Sequence, residues 1–286
     1  MQRIDAFHQV VDRARSRRGV ALMGICNVTP DSFSDGGRYS EEGAARARVR
    51  EILEQGGDVV DIGGESTRPG AAPVSAREQI NRVLATVRYA ASLGACVSID
   101  TASAEVAAAC LEAGACVVND VSCLRDDALA KTVAARTAAL VLMHARGTQE
   151  EMLGFGRYAD DAYGDVVADV LAEWERAAER AGAAGVPRRA IAMDPGLGFA
   201  KNARQSFELL ARLGEIVTAL DVPVAIGASR KSFLTVVDGD AGVSDRLGAS
   251  VAAALHAFRV GAAIVRVHDV GATRQAIDVA RRMAGA

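Results

Sequence analysis

The sequence predicts a single α/β domain built as a closed (β/α)8 barrel of the TIM type. Three observations predict it. Short apolar runs rich in Val and Ile recur along the chain, each too short for a helix and suited to a strand buried on both faces. Longer segments with helical periodicity lie between them, which implies parallel strands joined by crossovers. The runs repeat about every 34 residues, enough for a βαβ unit of roughly 30 or more. Eight such units close on themselves rather than forming an open sheet.

Taken in order, residues 1–18 form an amphipathic stretch outside the repeat, of unclear role. Residues 20–26 are the first strand. The next helix spans 41–55, with Ala44, Ala45, Val49, Ile52 and Leu53 on one face and Gly56-Gly57 as a stop signal. Strand 59–62 is followed by a less regular helix at 76–93, and strand 96–99 by a helix at 104–113. Strands 116–118 and 140–143 come next, with no helical periodicity read between them. Helix 161–181, strand 190–193, helix 205–219, strand 222–226, helix 246–258, strand 263–267 and helix 273–283 complete the chain.

Nothing in the 286 residues marks a linker or a composition break, so one domain is expected. Lys and Arg total 33 against 36 Asp and Glu, a net charge of −3 without the basic stripe of a nucleic-acid binder. The most apolar stretch, 247–265, is interrupted by His256 and Arg259. No stretch therefore approaches the roughly 20 apolar residues of a membrane span. Five cysteines without a C-x-x-C pair read as reduced thiols of a cytoplasmic protein. Arg17-Arg18 before an apolar run imitates a signal peptide. That run is short, lacks an A-x-A site and ends in Asn27-Val28-Thr29-Pro30-Asp31, so secretion is not expected.

Polar residues stand at the C-terminal edge of every run: Asn27, the loop from Gly63 to Gly70, Asp100, Asn119-Asp120, His144, Asp194, Ser229-Arg230-Lys231 and Arg266-Val267-His268. In a barrel these ends converge on the face where βα loops build active sites. Asp or Asn after a strand is commonly a cap or turn residue. That plainer reading is preferred for Asp120 and Asp61, and His144 reads as a packed histidine. For Asp100, Asn119 and Asp194 taken singly, the two readings balance. Collectively the turn explanation weakens, because eight independent turns need not all end in polar side chains.

The set has a chemical logic. Asn119, Asp100 and Asp194 supply acceptors for a flat heterocycle with several N–H donors. Arg266, His268, Lys231 and Asn27 suit an anion rich in oxygen, such as phosphate. Gly36-Gly37 and Gly63-Gly64 give the first two loops hinge composition. Gly196-x-Gly198 is too short a signal for a dinucleotide fold.

Two long signatures now stand out. Residues 27–37 read Asn-Val-Thr-Pro-Asp-Ser-Phe-Ser-Asp-Gly-Gly, and residues 63–70 read Gly-Gly-Glu-Ser-Thr-Arg-Pro-Gly. Ile99-Asp100-Thr101, Asn119-Asp120, Met143-His144, Asp194-Pro195-Gly196-x-Gly198-Phe199, Ser229-Arg230-Lys231-Ser232 and Arg266-Val267-His268-Asp269 follow in order. In these motifs the chain resembles the dihydropteroate synthase family, from about Met23 to its C-terminus.

The resemblance implies a barrel that condenses 6-hydroxymethyl-7,8-dihydropterin pyrophosphate with p-aminobenzoate, giving 7,8-dihydropteroate and pyrophosphate in folate biosynthesis. By position, Asp100, Asn119, Asp194 and Lys231 would hold the pterin, with Met143 packed against it. Asn27 would ligate Mg²⁺, while Arg266 and His268 hold the pyrophosphate. Phe33, Thr67, Arg68, Pro69, Phe199 and Ser229 would form the aminobenzoate pocket. The catalytic set would be Asp100, Lys231, Arg266 and His268. A homodimer and competition by sulfonamides are also implied. Cleavage of the C–O bond would leave a pterin-methyl cation for the aniline nitrogen to attack, without a Ser-His or Cys-His pair.

The chain departs from the family pattern in three places: Ala102-Ser103-Ala104 where Ser-Lys-Pro is frequent, Ala145 for Met, and Ala200 for Gly. None removes a ligand. The competing readings are a methyltetrahydrofolate-dependent methyltransferase, a non-catalytic pterin-binding paralogue, and a barrel phosphatase or isomerase. The last leaves both long signatures unexplained.

Overall fold

The computed structural model describes residues 2–29, 37–65, 74–147, 158–237, 239 and 242–285. Eight parallel strands form the sheet: β1 Ala21–Asn27, β2 Val59–Gly63, β3 Cys96–Asp100, β4 Val117–Asp120, β5 Ala139–Met143, β6 Ile191–Asp194, β7 Ala225–Ile226 and β8 Ile264–Val267. Their order is β6-β5-β4-β3-β2-β1-β8-β7. A bridge between Met193 and Val224, with Met193 N–H donating to Pro223 O at 2.8 Å, joins the two ends. The sheet is thus a closed barrel, as the repeat predicted.

The helices are α1 Arg3–Arg18, α2 Gly37–Glu54, α3 Ala76–Ser92, α4 Ala104–Glu112, α5 Asp127–Ala135, α6 Val166–Ala183, α7 Ala203–Ala211, α8 Leu213–Ala219, α9 Leu247–Arg259 and α10 Val270–Ala284. Two differ from expectation in kind. Helix α5 was not anticipated, because its nine residues bury only Leu129, Ala130 and Val133, and alanines blur the apolar stripe. The single helix expected over 205–219 is two helices, parted at Arg212 where ψ is 14°. No helix among the described residues is long and apolar enough to cross a membrane.

Strand alternation divides the core in two. Val60, Ile62, Val97, Ile99, Val118, Leu140 and Leu142 pack outward against the helices. Val59, Cys96, Val117, Ala139, Val141, Ala192, Ala225 and Ile264 occupy alternate positions and fill the lower barrel. The role left open for residues 1–18 is settled here. Helix α1 packs Phe7, Val11 and Ala14 into that lower cluster and closes the N-terminal end of the barrel. Arg3 fixes it in place by donating to Leu111 O at 3.0 Å, Ala115 O at 3.2 Å and Arg136 O at 2.9 Å. Those carbonyls lie at or just beyond the ends of α4 and α5 and need partners.

Candidate active site

The same alternation that fills the lower barrel with apolar side chains puts polar ones in its upper layers. Register aligns Asn27 with Gly63, Gly63 with Asp100, Asp100 with Asn119, and Met143 with Asp194. Asn27, Gly63, Asp100 and Asn119 thus share one register row, whose partner on β5 is Val141, while Met143 and Asp194 stand two residues further along their strands at the same mouth. Glycines at this mouth leave room between the side chains. A Cβ on Gly63 would lie 3.5 Å from both Asn27 Oδ1 and Asp100 Cβ. One on Gly227 would lie 3.7 Å from Asp194 Oδ2 and 3.8 Å from Arg266 Cβ. Asp194 and Arg266 thus share one mouth of the barrel, as the sequence reading requires.

Asp61 corrects the sequence reading. It is not a turn residue but a completely buried carboxylate inside β2. Its Oδ2 accepts from Arg266 Nε at 2.7 Å and from Asn119 Nδ2 at 3.3 Å. Arg266 Nη2 donates to Asp100 Oδ2 at 2.6 Å, so one guanidinium clamps two carboxylates. The missed signal was parity: Asp61 lies two residues before Gly63 and one tier below Asp100. A charged residue inside an apolar run is seldom there for packing.

Asp61 Oδ1 and Asp100 Oδ1 are buried without a partner among the described residues. Buried acceptors left open this way are costly unless a ligand supplies the donors. Burial raises the Asp100 carboxyl to about 7, against the pull of Arg266 and with help from Asp61. Burial likewise raises Asp194, opposed chiefly by Lys231. Asp194 Oδ1 accepts the Gly196 N–H at 2.8 Å.

Beyond the ends of β7 and β8, Ser229 Oγ accepts the His268 backbone N–H at 3.1 Å and lies 3.0 Å from its Nδ1. With the hydroxyl proton turned to Nδ1, Nε2 carries the ring proton and is free to donate. Burial and the charges of Arg266 and Arg230 lower His268 to about 3. With no anion beside it the ring is neutral, and Arg266 carries the charge. Arg230 is fixed by Asp269 at 2.6 and 3.0 Å. A cleft of about 470 Å³ opens here, lined by Asn27, Arg48, Arg230, His268 and Asp269 among others.

Lys231 Nζ donates to Leu197 O at 2.6 Å and stands 4.3 Å from the centre of the Phe199 ring. Burial lowers it to about 8, with Asp194 opposing. Met143, Ala145 and Phe199 form a small apolar cluster beside it. Phe33, Thr67, Arg68 and Pro69 lie outside the described residues.

Asp120 is the turn residue expected. Its carboxylate accepts from the N–H groups of Ser122 at 2.9 Å and Leu124 at 2.6 Å. His144 is buried, as expected, but it is bonded on both sides. Its Nε2 is 3.0 Å from Glu173 Oε2 and its Nδ1 is 3.0 Å from Lys201 Nζ. Lys201 and Glu173 were not singled out in the sequence, since neither ends a strand.

No group of three or more His, Cys, Asp or Glu among the described residues could hold a metal. Asn27 offers one amide oxygen at the mouth. That donor set fits Mg²⁺, which takes few protein ligands and completes its shell with phosphate oxygens and water.

The chain belongs to the pterin-binding enzyme family, whose description, Pterin binding enzyme, matches residues 23–268. Among its relatives is the dihydropteroate synthase of Mycobacterium leprae, 43% identical over 91% of this chain and 92% of that protein. A probable bifunctional folylpolyglutamate synthase/dihydropteroate synthase of Haloferax volcanii is also 43% identical, over 92% of this chain, which spans only 30% of that longer protein. The Xanthomonas albilineans dihydropteroate synthase solved with 4-aminobenzoic acid superposes with a TM-score of 0.85 at 39% identity, covering 93% of this chain and 94% of that one. The same enzyme in complex with 7,8-dihydropteroate gives 0.82 at 35% identity, covering 93% and 94%. Within its family this chain stands among the dihydropteroate synthases.

Proposed function

We propose that this chain condenses 6-hydroxymethyl-7,8-dihydropterin pyrophosphate with p-aminobenzoate to give 7,8-dihydropteroate and pyrophosphate. The observation that carries the residue roles is the pair of unpartnered carboxylate oxygens, Asp61 Oδ1 and Asp100 Oδ1, on the same mouth as the Arg266 and His268 donors. Open carboxylates and the Asn119 amide fit the N–H edges of a pterin. Asp194 and Lys231 complete that grip, and Met143 packs on the ring. Arg266, His268 and Asn27 hold the pyrophosphate. Phe199 and Ser229, with Phe33, Thr67, Arg68 and Pro69, form the aminobenzoate pocket.

In the reaction, the bond from the pterin methylene to the pyrophosphate oxygen breaks, and the electron pair leaves with pyrophosphate. Arg266 steadies that charge, and the His268 Nε2–H donates to it. The buried carboxylates, Asp100 foremost, stabilise the cation left behind. The aniline nitrogen then bonds to the methylene and gives up one proton. Mg²⁺, held at Asn27, would neutralise pyrophosphate charge. We place the reaction in the cytoplasm, supported by five cysteines that are all free thiols, and assign a homodimer, supported by exposed apolar residues on α9 and α10.

The deciding experiment is a pyrophosphate-release assay on the full chain with the pterin substrate, with and without p-aminobenzoate. Release coupled one-to-one with dihydropteroate formation is expected. Pterin binding with neither release nor product would indicate a non-catalytic paralogue. Methyl transfer from methyltetrahydrofolate would indicate the methyltransferase.

A further inference from the structure

The loop after β6 carries Phe199 and accepts the Lys231 ammonium at Leu197 O, yet residues outside the ligand set hold its shape. Gly196, Gly198 and Ala200 all have left-handed backbones, with φ of 68°, 75° and 50°. The loop's carbonyls therefore point in directions that neither helix nor strand would satisfy. Position 196 admits no side chain, since a Cβ there would lie 2.0 Å from His144 O. Lys201 lies beneath, fully buried. Its Nζ donates to Gly196 O at 3.1 Å, Phe199 O at 3.0 Å and His144 Nδ1 at 3.0 Å, which uses all three N–H groups. Tyr163 Oη donates to Ala200 O at 3.0 Å.

The two donors are themselves tied together. His144 bonds Glu173, Glu173 accepts from Arg146 Nε at 2.9 Å, and the Arg146 guanidinium lies 3.8 Å from the centre of the Tyr163 ring. A buried carbonyl that loses its donor pays a desolvation cost unless it turns toward water, and turning these carbonyls would carry Phe199 away from Lys231.

We propose that Lys201, together with Tyr163, is a positioning residue that locks the 196–200 loop and so sets the Phe199 ring against the aminobenzoate subsite. The inference rests on the reading above that Phe199 lines that subsite. Lys201 touches neither substrate nor reacting atoms. It acts first on the second substrate: Asp61, Asp100 and Asn119 of the pterin grip stand on other strands, and only Asp194 and Lys231 meet the loop, through Gly196 N–H and Leu197 O.

Steady-state kinetics on the full chain test it, with thermal melts run on every variant. Lys201→Met should raise KM for p-aminobenzoate about tenfold or more, and by at least about threefold more than it changes KM for the pterin substrate or kcat. Tyr163→Phe, a single lost hydroxyl, should move the same constant in the same direction by about threefold. If Lys201→Met shows no cooperative melt, Tyr163→Phe decides alone. Phe199→Ala serves as the reference and should raise KM for p-aminobenzoate. A raised constant there, with unchanged constants or a fall in kcat alone in the folded loop variants, overturns the role of Lys201. An unchanged constant in Phe199→Ala instead removes Phe199 from the subsite, and the inference with it.

Discussion

Arg266 sits between Asp61 and Asp100, one cation against two buried carboxylates. That excess of negative charge suits a ligand that becomes cationic, and it costs stability when the site is empty. For Asp100 the sign is definite. Its folded carboxyl, near 7, lies above the unfolded value of about 3.9. The folded state therefore binds more protons across that interval. Its stabilising contribution is complete below about pH 4 and is lost as pH rises through about 7. Asp100→Asn should melt higher than wild type at pH 8, by roughly 1–3 kcal/mol, with the difference vanishing toward pH 4. The same variant should lose about a hundredfold in kcat, because the developing cation loses its counter-charge. Paired melts and turnover at the two pH values check this. A variant that melts lower at pH 8, or turns over normally, removes Asp100 from the role.

Ala200 is a second residue-scale case. Its φ of 50° is a left-handed backbone, in which a Cβ is strained. Ala200→Gly should stabilise the protein by about 1 kcal/mol, read as a rise of roughly 2 °C in Tm. An unchanged or lower Tm would show that the loop carries no strain at this position.

At the scale of elements, the barrel separates stability from function by its two ends. Helix α1 seals the lower end with Phe7, Val11 and Ala14, while every proposed ligand residue that the structure describes stands at or near the upper ends of the strands. Phe7→Ala should cost about 3–5 kcal/mol by leaving a cavity in the plug, with both KM values unchanged. Denaturant melts alongside kinetics would show it; a shift in either KM would mean that the two ends are coupled. Helix α6 links stability and function on the other side. Trp174 Nε1 donates to Leu142 O at 2.9 Å, which docks the helix on β5 and brings Glu173 to His144.

At the scale of the molecule, Val279 and Met283 on α10 are 60% and 69% exposed, and Leu247 on α9 is 41% exposed. An exposed apolar pair one turn apart near the C-terminus of α10 fits an interface, and a second copy would cover it. Sedimentation should show wild type as a dimer and a Val279→Glu/Met283→Glu variant as a monomer with its melt preserved. Equal sedimentation of the two would place any contact elsewhere. The eightfold repeat, the polar strand ends and the two ends of the proposed site were all legible in the chain, because strand periodicity and motif are local properties. Helix α5 was not, since alanine hides an apolar face. The break at Arg212 was not, since one residue's ψ leaves no compositional trace.

By itself the sequence determined the barrel, the ring of polar residues at its mouth and the kind of ligand those residues suit. Only the tertiary structure set Asp61 against Arg266 and Asn119, shared Arg266 between two carboxylates, joined His268 to Ser229 and placed the Lys201 ammonium on the carbonyls of the loop after β6. Each of those depends on burial and on partners 39 to 205 residues away or on carbonyl directions set by the backbone. Charge state and hydrogen-bond direction are properties of surroundings, and surroundings exist only once the chain has closed.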